Sequence, residues 1–254
     1  KREKYTKYLY KKLQRDGQLE RDVDRLVRND RIAWGSSMIA CNDADAMVTG
    51  NIRHYAASIE KLKKVVDPRP GEEIFGMTMM VSKGKTILVA DTNVRDFPTA
   101  ERLAEVSISS VRVSRLFGFE PKVAFLSHST FGKPVSKNTK HVRDAIEILK
   151  TKDVDFDFDG EMQPDVALNP IYQEIYPFSK IVGKANILIM PALHSAAIST
   201  KLMKSFGGAK LIGPLLIGLG LPIEVAPLRS STSDILNLAS IAAFSSDVID
   251  YEKN

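Results

Sequence analysis

The chain has 254 residues, 44% of them hydrophobic and 26% charged, a composition that suits a soluble globular protein of one large or two small domains and excludes general disorder. Its 36 basic and 31 acidic side chains leave a formal charge of +5, and eleven of the former against six of the latter lie between Lys1 and Arg31, so that segment carries the whole surplus. The body lacks the net charge expected of a nucleic-acid-binding domain, no apolar run reaches the roughly 20 residues of a membrane span, and the single Cys41 excludes an internal disulfide and a multi-cysteine zinc site.

One cysteine fits a reducing cytoplasm. Lys1 in place of a methionine points to a piece of a longer chain. Strand-like and helix-like runs alternate, the pattern of an α/β protein with a parallel or mostly parallel sheet. Tyr5, Leu9 and Leu13 predict a first helix stopped by Gly17, and Leu19, Val23, Leu26 and Val27 a second, with lysines and arginines on solvated opposite faces. Residues 46–49 read as a short strand ended by Gly50, followed by a helix carrying Ile59, Leu62 and Val66 and stopped by Asp67-Pro68. Residues 67–71, with two prolines and a glycine, mark a domain boundary. Residues 74–81 and 86–90 predict a strand pair around the turn Ser82-Lys83-Gly84-Lys85; a helix over 99–117 ends at Gly118 and feeds a strand over 122–127.

Val142, Ile146 and Leu149 mark a further helix. Val154, Phe156 and Phe158 alternate with Asp153, Asp155, Asp157 and Asp159, which predicts a strand with its carboxylates spread along a solvated edge rather than gathered about a metal. A helix begun by Pro170, a strand over 187–190, a helix over 195–206, the run 211–219, a strand over 223–226 and a helix over 231–243 complete the pattern.

Ligands of alternating α/β proteins collect at the carboxyl ends of strands and at helix N-termini, and three loops attract notice. The first, Ser127-His128-Ser129-Thr130-Phe131-Gly132-Lys133, offers Ser127, Ser129 and Thr130 as phosphate-holding groups, against the plainer reading of a polar loop; its glycine spacing is not that of a Walker loop. The second, Gly183-Lys184-Ala185-Asn186, offers Lys184 and Asn186, against a simple turn. The third opens the last helix: Ser231 and Asp234 form an S-x-x-D capping pattern, and Arg229, Ser231, Ser233 and Asp234 together form a candidate seat for a phosphate-bearing ligand. His54, His128, His141 and His194 are scattered, with neither a G-x-S-x-G elbow nor an H-E-x-x-H helix, so no catalytic residue and no metal ligand is assigned.

The segments DADAMVTGNIRHYAASIEKLKKVV (43–66), VADTNVRDFP (89–98), VAFLSHST (123–130), DGEMQ (159–163), VGKANILIMP (182–191), AKLIGPLLIG (209–218) and SDILN (233–237) follow in order the pattern of phosphotransacetylases, enzymes that move an acetyl group between phosphate and coenzyme A. With YTKYLYKKL (5–13) and RDVDRLVRNDR (21–31), the chain most resembles the C-terminal phosphotransacetylase-like domain of bacterial hybrid NADP-dependent malic enzymes. The resemblance implies two α/β lobes with a ligand cleft between them. One lobe is formed by 1–71 with 214–254 and lacks the family's first units; the other, 72–213, is the dimerisation lobe. The three loops are expected to converge in the cleft.

The resemblance also implies an N-terminal malic enzyme part, absent here, which uses NADP and a divalent metal to convert malate to pyruvate and CO2 in the bacterial cytoplasm. The serine-arginine pair that family enzymes carry before the last helix falls on Pro227 and Leu228, a glycine-asparagine pair on Ala196-Ala197, an aspartate on Ala192 and an arginine on Glu60. Each loss removes a group able to stabilise transferred charge. The implied role is a regulatory, acetyl-CoA-sensing and oligomerising domain, at least a homodimer, without cofactor, nucleic-acid or membrane partner of its own. The alternatives are an active phosphate acetyltransferase and a purely architectural oligomerisation domain.

Overall fold

A computed structural model describes residues 1–91, 94 and 96–253. Thr92, Asn93 and Arg95 of the VADTNVRDFP segment lie outside the described residues. The chain divides into a smaller unit, Lys1–Ile74 with Gly218–Asn254, and a larger one, Phe75–Ile217.

In the smaller unit, α1 (Arg2–Leu13) buries the stripe Tyr5, Leu9 and Leu13, and Gly17, at φ 77°, turns the chain into α2 (Glu20–Asn29), which buries Val23 and Val27. Asp30 then caps α3 (Arg31–Ala40), accepting from Ile32 N at 2.9 Å and Ala33 N at 3.3 Å. No periodicity announced α3, which buries Ile32, Ala33, Ser36, Ser37 and Ile39. The basic faces of the first two helices are not simply solvated. Arg2 and Arg28 pair with Asp24, Lys4 with Asp43 and Lys12 with Asp67, so acids folded onto the segment offset part of its surplus. Such pairs at the surface contribute little to stability.

The strand β1 (Met47–Gly50) runs parallel to β8 (Ile223–Ala226), in register from Met47↔Ile223 to Gly50↔Ala226. Between β1 and the boundary, α4 (Tyr55–Val65) buries Ile59, Leu62 and Val65, and α10 (Thr232–Lys253) follows β8. Gly50 is required where the two strands end: a Cβ there would lie 2.3 Å from the Ala226 carbonyl oxygen, at a φ of +100°.

The larger unit is built on a six-stranded mixed sheet of order β5-β4-β6-β3-β2-β7. Here β2 (Phe75–Ser82) and β3 (Lys85–Ala90) form a hairpin whose central residues, Lys83 and Gly84, both have positive φ, the two-residue turn that matches strand twist. Parallel pairing joins β3 to β6 (Ile187–Ile189), β6 to β4 (Lys122–Leu126) and β4 to β5 (Asp157–Met162), while β7 (Lys210–Ile217) runs antiparallel to β2. The sheet is therefore parallel in one half and antiparallel in the other.

Thr99 caps α5 (Ala100–Leu116), which packs with α6 (Lys140–Lys150) on the parallel half. On the opposite face Val89, Leu126, Leu188 and Met190 cluster with Val166 and Ala167 of α7 (Pro164–Leu168) and Ala196 of α9 (Leu193–Ser205). Two expectations change. The aspartate-aromatic alternation becomes strand only from Asp157, although burial still alternates from Asp153 onward. The helix begun by Pro170 is the short α8 (Pro170–Gln173), preceded by the unforeseen α7. The units meet in sequence at Ile74/Phe75 and Ile217/Gly218. Among the described residues no helix is long and apolar enough to cross a membrane.

Candidate functional site

The strands β3, β4, β5 and β6 are mutually parallel, so the loops after them gather at one edge of the larger unit. The loop after β4 carries Ser127, Ser129 and Thr130, all buried, with their hydroxyls turned to internal use. Ser127 Oγ accepts from Ser129 N at 3.2 Å and lies 3.1 Å from Ser129 Oγ, which donates to Glu161 Oε1 at 2.8 Å; Thr130 Oγ1 accepts from Gln163 N at 3.2 Å. Gln163 Nε2 in turn donates to the His128 carbonyl at 2.8 Å, and His128 stands exposed above the edge.

Glu161 is the centre of this arrangement. Its Oε1 also accepts from Gly132 N and from Arg143 Nη1, both at 3.1 Å, and its side chain is fully buried. Arg143, on α6, donates further to Thr139 Oγ1 at 2.7 Å and to the Ser136 carbonyl at 3.2 Å. Neither residue was singled out from the sequence. Counting by twos along β5 puts Glu161 on the side of Asp157 and Asp159. The strand is irregular there, with Phe125 opposite Gly160 but Leu126 opposite Met162, and this extra residue lets Glu161 turn inward. The DGEMQ motif was the one available signal.

Lys184 and Asn186 do not join this edge. They precede β6, and Asn186 is fixed at the start of β4: its Oδ1 accepts from Lys122 N at 2.8 Å and its Nδ2 donates to the Glu120 carbonyl at 2.6 Å. Because β4 and β6 are parallel, residues before a strand sit at the opposite end from residues after it, about 16 Å away over five residues. The expected convergence of Ser127, Ser129 and Thr130 with Lys184 and Asn186 therefore does not occur. The Lys85 ammonium, a hydrogen-bonding and repelling neighbour, holds Lys184 below the usual lysine range.

In the smaller unit the C-terminal ends of β1 and β8 meet the N-terminus of α10. Asn51 N donates to the Ala226 carbonyl at 3.0 Å, and Arg229 N, in a left-handed turn at φ 60°, donates to the Asn51 carbonyl at 3.2 Å. Ser231 and Asp234 form a closed capping box: Ser231 N and Oγ donate to Asp234 Oδ2 at 3.0 and 2.8 Å, and Asp234 N donates to Ser231 Oγ at 3.2 Å. Ser233 and the side chain of Arg229 are exposed. Pro227 and Leu228, between the strand and the cap, present no donor or acidic proton, and Leu228 is exposed. Ala192 stands at the N-cap of α9 without a side-chain oxygen, Ala196 is fully buried, and Glu60 is exposed on α4. Among the described residues no group of three His, Cys, Asp or Glu side chains is placed to hold a metal ion.

The Phosphate acetyl/butaryl transferase family matches residues 1–243. The chain belongs to this family. A phosphotransacetylase from Streptococcus pyogenes superposes with a TM-score of 0.88 at 30% identity, over 96% of this chain and 76% of that one. A phosphate acetyltransferase from Bacillus subtilis is 30% identical over 90% of this chain and 72% of its own length. An NADP-dependent malic enzyme from Rhizobium meliloti is 46% identical over 94% of this chain, which spans only 32% of that protein. What this phosphotransacetylase domain shares with the malic enzyme is thus about a third of the latter, and the same stretch makes up most of the Bacillus enzyme.

Proposed function

We propose that this phosphotransacetylase domain is the regulatory, acetyl-CoA-binding and oligomerising part of an NADP-dependent malic enzyme and has no transfer activity of its own. The observation that carries the reading is the pair Pro227-Leu228 at the start of the α10 turn, where the resemblance to family enzymes calls for a serine and an arginine. Neither side chain can pass a proton or hold a phosphate, and losing one such donor alone costs about 3–4 kcal/mol of transition-state stabilisation. The 46% identity to a malic enzyme supports the same reading. Malate oxidation, with its NADP and divalent metal, belongs in this reading to the other two thirds of such a protein. Acetyl-CoA acts there by differing in affinity between two states of an oligomer, at least a dimer, and so reduces malate turnover.

Two measurements on this chain test it. Titration calorimetry with acetyl-CoA is expected to show saturable binding, and a phosphate-dependent acetyl transfer assay is expected to show no turnover above background. Turnover comparable to the Bacillus enzyme would establish an active acetyltransferase instead, with Arg229 as the arginine that serves it. No heat and no melting shift at millimolar acetyl-CoA would leave an architectural domain.

A further inference from the structure

A cavity of about 750 Å³ runs along one face of the sheet in the larger unit, from the Lys83–Lys85 turn to Pro164 and to Leu126, which adjoins the Ser127 loop in sequence. Its floor is the sheet face itself, where Ile87 and Val89 of β3 and Leu188 of β6 point the same way by strand alternation, continued by Met190 just beyond β6, and α9 contributes Thr200 and Met203 to its wall. Its volume lies within the range of about 300–1,000 Å³ typical of small-ligand sites. Three lysines line it: Lys83 and Lys85 from the tight turn between β2 and β3, and Lys184 from the loop before β6. No lining residue is acidic, and among the described residues none of these three ammonium groups is paired with a carboxylate.

The arrangement separates charge from greasy surface along one direction. The lysines collect where β3 and β6 begin, because Ser82 pairs with Lys85 at the hairpin end and Leu88 pairs with Ile187. From Lys85 to Val89 the strand covers about 13 Å, close to the length of an extended eight-carbon chain with its head group. Lys85 and Lys184 both line the cavity where β3 and β6 begin, close enough for the Lys85 ammonium to hold Lys184 below the usual lysine range, and two like charges there repel each other until an anion sits between them. Nothing in the fold requires that: the turn needs only residues that accept positive φ, and the strand starts need no charge.

We propose that this cavity binds an amphipathic anion, with a carboxylate or phosphate head at Lys83, Lys85 and Lys184 and an unbranched apolar tail laid along Ile87, Val89, Leu188 and Met190. The site is independent of the acetyl-CoA reading, and its three lysines stand at the end of the sheet where β3 and β6 begin, whereas the Ser127 loop follows the end of β4. It gives Lys184 a ligand role at a different place from the one the sequence suggested.

The test is titration of the intact chain with octanoate, octyl phosphate and neutral octanol. Both anions are expected to bind saturably and more tightly than octanol, and their ratio tells carboxylate from phosphate as the preferred head. The double substitution Lys85→Glu/Lys184→Glu, on exposed side chains, is expected to weaken both anions about tenfold or more and to leave octanol unchanged. Ser199→Phe, which fills the cavity from α9, is expected to abolish binding of all three, with an unchanged melting profile as the check on folding. Absence of saturable binding by either anion, or binding indifferent to the charge reversal, would overturn the proposal. So would a charge-reversed chain that changes its sedimentation mass while binding both anions as before, because the face would then belong to contacts between copies.

Discussion

Replacing Glu161 by alanine removes the acceptor that Ser129 Oγ, Gly132 N and Arg143 Nη1 share at 2.8, 3.1 and 3.1 Å. A buried neutral donor left without an acceptor costs about 1–3 kcal/mol, and a hydrogen bond to a charged group contributes about 1.5–3 kcal/mol. Ser129 is fully buried and carries its full penalty, whereas the Arg143 side chain is 35% exposed and recovers part of its loss by reaching water. The sum is a destabilisation of about 3–5 kcal/mol, in the range found when one member of a buried pair is removed. Glu161→Gln keeps the shape and one acceptor oxygen, exchanges the charge and the second oxygen for an amide NH2, and is expected to cost about 1–2 kcal/mol. The assay is hydrogen exchange read on peptides covering residues 127–139, with urea unfolding of the whole chain alongside. Alanine is expected to raise exchange in that loop strongly and glutamine weakly. An alanine variant that loses under about 1 kcal/mol with the loop still protected would refute the argument that Glu161 holds it.

Three other perturbations are sharply defined by the geometry. Burial pushes Asp30 up, but the hydrogen bond from Lys61 and the N–H groups of Ala33 and Ile32 outweigh it and hold the carboxyl below its ordinary value. Its stabilisation is therefore complete above the ordinary carboxylate range and is lost as pH falls through the lower folded value, so Asp30→Asn is expected to flatten the acid side of a melting-temperature profile. Burial, and then the hydrogen bond to Asp43 at 2.8 Å, push the Tyr5 hydroxyl up to about 12. Its contribution is present below the ordinary tyrosine value near 10 and is lost as pH rises through the folded value; Tyr5→Phe is expected to remove the latest ionisation step in an absorbance titration of the seven tyrosines. Gly50→Ala combines a φ of +100° with a Cβ 2.3 Å from the Ala226 oxygen, and neither strand can retreat without breaking the β1–β8 ladder. It is expected to cost about 2–4 kcal/mol by thermal melting, and a shift under about 1 kcal/mol would show that the strand ends yield.

Local chemistry was the legible part of the fold. The hairpin of β2 and β3 follows from two apolar runs around Ser82-Lys83-Gly84-Lys85, and α5 begins where Thr99 supplies a cap, because both signals act within a few residues. The helix α3 was silent for a physical reason: its sequence RIAWGSSMIA mixes small and apolar residues with no stripe, and buried serines such as Ser37, which donates to the Ala33 carbonyl at 2.7 Å, take positions a periodicity search reserves for leucines. At the site, the capping box of Ser231 and Asp234 was legible as spacing, since it is closed within four residues. The position of Lys184 was not. Its distance from Ser127 depends on β4 and β6 being parallel neighbours, and pairing between strands more than sixty residues apart is decided by packing rather than by either segment. Glu161 was hidden by a single irregular register step, which a period-two count cannot see.

The capping box also bears on how a phosphotransacetylase fold can outlive transfer chemistry. Ser231 and Asp234 cap the N-terminus of α10, and the turn before it is held by main-chain bonds, from Arg229 N to Asn51 and from Ser230 N to Pro227. The side chains at positions 227 and 228 take no part in either, so a proline and an exposed leucine there leave the helix start intact. Glu161 stands in the opposite situation, because its carboxylate is the acceptor that Ser129 Oγ and Gly132 N of that loop share. Under the proposed reading, chemistry at the smaller unit's strand ends was free to change, whereas the scaffold at the larger unit's strand ends was not. A chain that binds without turning over needs that division, since binding draws on a held loop and transfer draws on side chains that carry no load in the fold.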